Sequence, residues 1–180
     1  MEFKASLFDE KAINRAIVRI AHEIMENNIT CENLVIMGIK TRGVPIAERI
    51  SACIYEKIDN SKKIPVEQLD VTAFRDDLTD KSAGFERLGN SIKENIDGKT
   101  VILTDDVIYT GRTVRAAMDA LMSVGRPARI QLAVMVDRGH RELPVRPDYV
   151  GKNIPTSRSE IIEVNLRETD GEDKIDIYER

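Results

Sequence analysis

The residues best suited to chemistry lie in VILTDDVIYTGRT, residues 101–113, where two adjacent carboxylates follow an apolar strand. Asp105 and Asp106 repel each other, and the hydroxyl-rich loop around Gly111 has little apolar surface, so neither group suits a core. A glycine-containing loop before a helix presents N–H groups and the helix dipole to a phosphate. Two carboxylates suit vicinal ribose hydroxyls or a magnesium ion. The pattern therefore predicts a ribose 5-phosphate site, with a solvated strand-end turn as the alternative.

Two more polar segments follow apolar runs. KTRG comes directly after LVIMGI (34–39), and DRGHRELP overlaps the end of RIQLAVMVD (129–137). Ligands of parallel sheets bind beyond the carboxyl ends of the strands, so we expect all three polar segments to meet in one crevice. Arg42 and Arg138 would bring guanidinium groups to this crevice. For each, the alternative is an ordinary surface arginine.

The elements that must position these residues can be predicted from periodicity. Residues 9–28 have isoleucines at helical spacing after Asp9, a plausible N-cap (Ile13, Ile17, Ile20 and Ile24). A second helix is expected from Val44 to Lys57, and a third after Gly111, with Val114, Met118, Leu121 and Met122 facing inward. Strands are expected at 34–39, 67–74, 99–105 and 129–137, and in EIIEVNL and KIDIYER; residues 137–160 read as a loop. Alternating strands and helices predict an α/β protein with a mostly parallel sheet covered on both faces.

The composition indicates which kinds of protein are consistent with this sequence. The chain has 180 residues, 42% of them hydrophobic, which suits a single globular domain over 1–180. Aromatic residues make up 4%, which disfavours base recognition by stacking on aromatic platforms. No apolar run approaches the ~20 residues of a membrane span, and no signal peptide is recognisable. Cys31 and Cys53 lack metal-ligand spacing, and we expect both to be core residues in a reducing cytoplasm.

Charge is distributed unevenly along the chain. The formal net charge is -4, yet residues 126–158 hold seven basic and three acidic residues, so this segment is +4 and the remainder is -8. The predicted first helix also has a basic stripe opposite its isoleucines (Lys11, Arg15, Arg19 and His22). Alone, such a stripe is most simply a solvated face. Beside the second basic segment it would form one positive surface.

The sequence resembles the type I phosphoribosyltransferases. VILTDDVIYTGRT is similar to their phosphoribosyl pyrophosphate motif, and GIKTRG is similar to their pyrophosphate-binding loop. FRDDLT (74–79) and the stretch 136–160 resemble, more closely, the branch of this family that regulates pyrimidine operons by attenuation. The resemblance covers nearly the whole chain. It implies a mostly parallel twisted sheet flanked by helices, with a flexible lid loop near 74–90 and a small hood.

The resemblance implies that uracil and phosphoribosyl pyrophosphate react to give UMP and pyrophosphate, with Mg²⁺ arriving on the pyrophosphoryl group. Asp105, Asp106 and Arg42 would be the catalytic residues, the two acids holding the ribose hydroxyls and Arg42 the leaving pyrophosphate. The implied substrate-binding residues are Thr41, Arg42, Asp105, Asp106, Val107, Ile108, Tyr109, Thr110, Gly111, Arg112, Thr113 and, at the base, Arg138.

The resemblance also implies a second activity, binding of a leader RNA hairpin from a pyrimidine operon under control of UMP or UTP. The residues implied for RNA are basic and lie outside the ribose-phosphate motif: Arg19, His22, Arg141, Arg146 and Lys152. The implied assembly is a homodimer or a higher homo-oligomer, without membrane contact. The main alternative is a salvage phosphoribosyltransferase that does not bind RNA, and a more distant one is a purine or orotate transferase.

Overall fold

A computed structural model describes residues 1–74 and 92–180. The predicted lid, and all but the first residue of the FRDDLT motif, lie outside these residues. The main sheet is parallel, with strands in the order β3-β2-β4-β5-β6. Its strands are β2 (Leu34–Ile39), β3 (Val66–Leu69), β4 (Thr100–Ile108), β5 (Arg129–Asp137) and β6 (Tyr149–Asn153).

Helices cover both faces of this sheet. They are α1 (Glu10–Asn27), α2 (Gly43–Lys57) and α3 (Arg112–Val124). Buried side chains of α1 and α2 form one apolar core with one face of the sheet, whereas α3 packs in a second core with the other face. The predicted parallel sheet with two covered faces is therefore confirmed.

A smaller antiparallel sheet, which we call the hood, contains β1 (Glu2–Phe8), β8 (Lys174–Glu179) and β7 (Glu160–Asn165) in that order. A single helical turn, α4 (Arg167–Asp170), lies between β7 and β8. Both strands at the end of the chain are predicted, but β1 is not. Its apolar residues alternate at Phe3, Ala5 and Leu7, yet most of its side chains are exposed.

The first helix, α1, has the N-cap and the buried apolar stripe that the sequence predicts. The Asp9 carboxylate accepts a hydrogen bond from the Ala12 N–H at 2.7 Å, which satisfies one of the N–H groups that a helix start leaves unpaired. Ile13, Ile20 and Ile24 are fully buried, so the predicted apolar stripe is the face that packs on the sheet. Cys31 and Cys53 are buried and unbridged, as expected of core residues.

Three expectations for local structure are wrong. The strand predicted over 67–74 ends at Leu69 and gives way to a short 3-10 turn at Thr72–Phe74. Met122, predicted to face inward, is 61% exposed, because α3 presents Val114 and Leu121 to the sheet instead. The segment 137–160 contains the edge strand β6, whose sequence YVGKN alternates too weakly to be read as a strand. Within the described residues, no helix is long and apolar enough to span a membrane.

Candidate active site

The loop after β2, residues 40–43, lies directly against β4. The Thr104 hydroxyl donates a 2.7 Å hydrogen bond to the Gly43 carbonyl, and Thr104 is fully buried. A Cβ atom on Gly43 would lie 2.2 Å from the Thr104 carbonyl oxygen, so only glycine allows this approach. The contact brings Thr41 and Arg42 to the end of β4 where the acid pair lies. The peptide bond between Lys40 and Thr41 is cis.

Gly43→Ala should therefore destabilise the protein. The backbone cannot move away from a carbonyl of a central strand without disturbing the sheet, so we expect a cost of about 1–3 kcal/mol. For a domain of this size that lowers the melting temperature by about 2–12 °C, measurable by thermal unfolding. Gly98→Ala is the comparison for backbone strain without atomic overlap, because Gly98 has positive φ but open space around its Cβ position, and it should cost about 1–2 kcal/mol. A Gly43→Ala protein that melts like the wild type would contradict the close contact.

The two acids belong to β4 itself, since that strand continues to Ile108, beyond its predicted end. The Asp105 carboxylate accepts a hydrogen bond from the Asp106 N–H at 3.0 Å, and the Asp106 carboxylate accepts one from the Val107 N–H at 2.8 Å. Burial raises the pKa of Asp105 well above its usual value, and the adjacent Asp106 charge raises it further. Burial also raises the pKa of Asp106, although the positive charge of Arg42 opposes that rise.

Residues 109–113, which lead from β4 into α3 and which we call the phosphate loop, have the features expected of an anion site. Gly111 has φ +92°, a conformation that other residues rarely adopt, and its carbonyl accepts the Arg115 N–H as α3 begins. The Thr110 hydroxyl accepts a hydrogen bond from the Arg112 N–H at 3.4 Å. This loop, with the N-terminus of the 13-residue helix α3, provides the backbone N–H groups and the dipole that favour a phosphate.

The third polar segment packs onto the same loop. The N–H groups of Glu142 and Leu143 both donate to the Thr110 carbonyl, at 3.0 and 3.1 Å. The Arg112 Nε donates to Glu142 Oε2 at 2.9 Å. The segments after β2, β4 and β5 therefore meet at the carboxyl edge of the sheet, as the sequence predicts.

Arg141 is predicted to be an RNA-binding residue that lies outside the phosphate loop. In the structure its guanidinium contacts that loop. Its Nη1 donates to the Tyr109 carbonyl at 2.8 Å, its Nε to the Val145 carbonyl at 3.0 Å, and its Nη2 to Asp137. The side chain is 20% exposed. Arg141 thus connects the end of β5 to the 109–113 loop and does not lie apart from that loop as expected, whereas its assignment to RNA binding stays a prediction.

Arg138 is buried beside that loop. Its Nη2 donates to the Glu160 carbonyl at 2.7 Å, and its guanidinium carbon lies 4.1 Å from the centre of the Tyr109 ring. The ring of His140 meets the Tyr109 ring edge to face, and its Nε2 lies 2.6 Å from the Thr156 carbonyl oxygen. Arg138 therefore orders the wall behind Tyr109 and is not the surface arginine of the alternative interpretation.

Sequence reasoning missed one residue of this region, Asp170 in α4. Its carboxylate accepts from both Nε and Nη2 of Arg42, at 3.1 and 2.9 Å. No local pattern could have indicated this pair. Arg42 follows a strand of the main sheet, whereas Asp170 lies between two strands of the hood, far away along the chain. The Arg42 guanidinium holds the pKa of the Asp170 carboxyl well below its usual range.

The remaining predicted RNA-binding residues lie around α1 and β6. The Arg19 guanidinium donates to the carbonyl oxygens of Val150 and Gly151, at 3.0 and 2.6 Å, which ties α1 to the edge strand β6. The Lys152 ammonium lies 5.2 Å from the centre of the Phe8 ring. His22, Arg146 and Lys152 are exposed. The helix and the last basic segment are therefore neighbours, as the predicted basic surface requires.

In residues 1–74 and 92–180, no three side chains of His, Cys, Asp or Glu cluster in a way that would hold a metal ion.

Comparisons with known proteins agree with this fold. The family model described as phosphoribosyl transferase domain matches residues 5–169. The hypoxanthine phosphoribosyltransferase of Trypanosoma cruzi shares the fold with a TM-score of 0.72 at 19% identity, over 98% of this chain and 97% of that one. That of Staphylococcus aureus gives 0.71 at 18% identity, over 97% and 92%. The chain belongs to the phosphoribosyltransferase family.

Closer relatives place the chain more narrowly within that family. It is 59% identical to the bifunctional protein PyrR of Clostridioides difficile, over 98% of this chain and 98% of that protein. It is 57% identical to the bifunctional protein PyrR of Bacillus cereus strain AH820, over the full length of both. The chain is thus a full-length relative of the bifunctional PyrR proteins.

Proposed function

We propose that this protein has both activities of a pyrimidine-operon regulator. It converts uracil and phosphoribosyl pyrophosphate to UMP and pyrophosphate, and it binds the leader RNA of pyrimidine biosynthesis genes in the cytoplasm to promote transcription termination. The observation that carries the proposal is the meeting of the Asp105–Asp106 pair, the 109–113 loop and Arg42 at one edge of the sheet. The relation to bifunctional PyrR proteins supports the pairing of the two activities.

The phosphate loop fixes one end of the substrate. Backbone N–H groups of residues 109–113 and the N-terminus of α3 bind the 5-phosphate, which holds the ribose at the end of β4. Asp105 and Asp106, when ionised, accept hydrogen bonds from the ribose hydroxyls and stabilise the positive charge that develops at the anomeric carbon. Catalysis is then positioning and charge stabilisation, without a covalent nucleophile.

The other end of the substrate lies at the loop after β2. Arg42 binds the pyrophosphoryl oxygens, on which negative charge accumulates as the glycosidic bond breaks, and Thr41 lies beside it. Mg²⁺ accompanies phosphoribosyl pyrophosphate as part of the substrate, and its charge neutralises the same oxygens when it is bound. Uracil binds beside the wall made by Tyr109 and the buried Arg138.

The RNA site is the basic surface made by the exposed side of α1 and the segment around β6. Lysine and arginine there would neutralise RNA phosphates, and loop bases of the hairpin would be read by hydrogen bonds. UMP or UTP in the ribose-phosphate site would increase the affinity for RNA. The protein acts as a homodimer or higher homo-oligomer. A salvage enzyme without RNA binding is the second candidate, but the relation to bifunctional proteins disfavours it.

Two measurements test the proposal. Purified protein with Mg²⁺ should form UMP from uracil and phosphoribosyl pyrophosphate, and hypoxanthine or orotate should react more slowly. In a separate titration, a pyrimidine-operon leader RNA should bind more tightly when UMP is present. Binding no better than to a scrambled RNA would leave only the salvage enzyme, and faster turnover of hypoxanthine would refute the assignment of the base.

A further inference from the structure

The hood is fastened to the loop after β2 and to the helix behind it by two arginines. Arg42 pairs side-on with Asp170 in α4. Nearly two turns into α2, Arg49 donates to Glu168 at 2.8 and 2.6 Å and to Asp173 at 2.9 and 2.7 Å. The turn between β7 and β8 therefore presents Asp170 to Arg42, at the pyrophosphate-binding end of the proposed active site, and Glu168 and Asp173 to Arg49.

Asp170 is itself held rigidly. Its Oδ2, which accepts from Arg42 Nε, also accepts from the Leu166 N–H at 2.9 Å and from the Thr169 hydroxyl at 2.7 Å. The carboxylate is thus oriented by its own turn and does not depend on Arg42 for its position. An acceptor fixed in this way lowers the conformational entropy that the long arginine side chain must lose on binding a ligand.

The side-on geometry also determines which part of Arg42 is available. Asp170 uses Nε and one hydrogen of Nη2, which leaves the Nη1 edge of the guanidinium for other acceptors. The Arg42 charge also acts on the Asp106 carboxyl. The paired guanidinium is therefore held next to the acid pair with one edge available for an anion.

We propose that Asp170 is a positioning residue for phosphoribosyl pyrophosphate, which acts by holding Arg42 in the orientation that binds the pyrophosphoryl group. The inference rests on the proposed function, because it assigns the pyrophosphate to Arg42. It adds a role for the hood: the turn between β7 and β8 contributes to substrate binding through an arginine of another loop. Asp170 makes no contact with the substrate in this role.

The test is a double-mutant cycle between Asp170→Asn and Arg42→Ala. Asp170→Asn should raise KM for phosphoribosyl pyrophosphate about tenfold, with KM for uracil within twofold of the wild type. Calorimetry with inorganic pyrophosphate and Mg²⁺ should show a similar loss of affinity, whereas UMP, which has no pyrophosphoryl group, should bind as before. In the Arg42→Ala background, Asp170→Asn should have no further effect on either quantity.

Glu168→Gln is the matched control, because it removes a carboxylate of the same turn that contacts Arg49 and leaves Arg42 paired. It should leave the pyrophosphate affinity within twofold of the wild type. Equal losses in Glu168→Gln and Asp170→Asn, or an Asp170→Asn loss that persists without Arg42, would overturn the proposal. If the wild type binds pyrophosphate but forms no UMP, the proposed reaction fails, and the calorimetric cycle still decides the role of Asp170.

Discussion

Asp106→Asn is expected to lower the rate of UMP formation about a hundredfold, the loss typical when one positioned charge is removed from an active site. The amide keeps the size of the side chain but lacks the negative charge that would stabilise the developing cation on ribose. Steady-state kinetics with saturating uracil and phosphoribosyl pyrophosphate measure the effect. Activity within twofold of the wild type would refute the assignment of this acid to the ribose.

The same substitution should make the protein more stable at neutral pH. Burial raises the pKa of both carboxyls, so ionising the pair costs the folded state more than the unfolded state. Each kcal/mol of relieved cost corresponds to a rise in melting temperature of about 2–4 °C for a domain of this size. A variant that loses activity and gains stability would indicate a site strained for function, whereas a loss of both would indicate a structural role.

The sign of the pH dependence follows from linkage. With a raised pKa, the folded state binds more protons than the unfolded state, so stability falls as pH rises from the ordinary carboxyl range through the raised pKa values. The stability advantage of Asp106→Asn should therefore be largest near neutral pH and should shrink as the pH is lowered toward the usual aspartate range. Thermal unfolding of both proteins across pH measures the difference.

Arg146→Ala should weaken binding of leader RNA by roughly 1–3 kcal/mol if Arg146 reads a base, and by less, with a salt slope reduced by about one, if it contacts a phosphate. Arg146 is exposed and lies outside the phosphate loop, so uracil turnover should not change. Filter binding at several salt concentrations and steady-state kinetics on the same preparation separate the two effects. Lost turnover with intact RNA binding would place Arg146 in the catalytic crevice.

Arg141→Ala is the informative comparison, because Arg141 has the same charge in the same segment. It connects Asp137 to the Tyr109 carbonyl, so its loss should loosen the phosphate loop and lower uracil turnover. The two variants should therefore separate the two activities, with Arg146→Ala affecting RNA alone. If Arg141→Ala leaves uracil turnover unchanged, the phosphate loop is stabilised by its other contacts. The proposal that Arg141 stabilises this loop would then be wrong.

The sequence predicts the central strands of the main sheet better than it predicts the edge strands β1 and β6. Runs such as LVIMGI are continuous and apolar because these strands are buried on both faces, and that pattern can be recognised without a structure. Edge strands carry no such pattern: most of β1 is exposed, and β6 contains glycine, lysine and asparagine within five residues. A continuous apolar run is therefore the more reliable signal, although a strand buried on one face, such as β7, can also be recognised because its buried side chains alternate.

The candidate site also has a part that the sequence predicts and a part that it does not. Asp105, Asp106 and Gly111 lie close together in the sequence, so their chemistry can be predicted from one motif. The pairing of Arg42 with Asp170, and of Arg141 with the Tyr109 carbonyl, joins segments that are distant along the chain. Charge and spacing give the residue types of such pairs but not the partner, because the partner is determined by how two loops pack.

The pairing of β1 with β8 constrains the order in which the protein forms during synthesis. Residues 2–8 pair with residues 175–179, so the first strand has no partner in the hood until residues 175–179 have left the ribosome. The strands of the main sheet are synthesised between them and can associate earlier, since domains assemble as their segments emerge. A pause late in translation would then produce a chain with a formed ribose-phosphate edge and an incomplete hood, in which Arg42 still lacks Asp170.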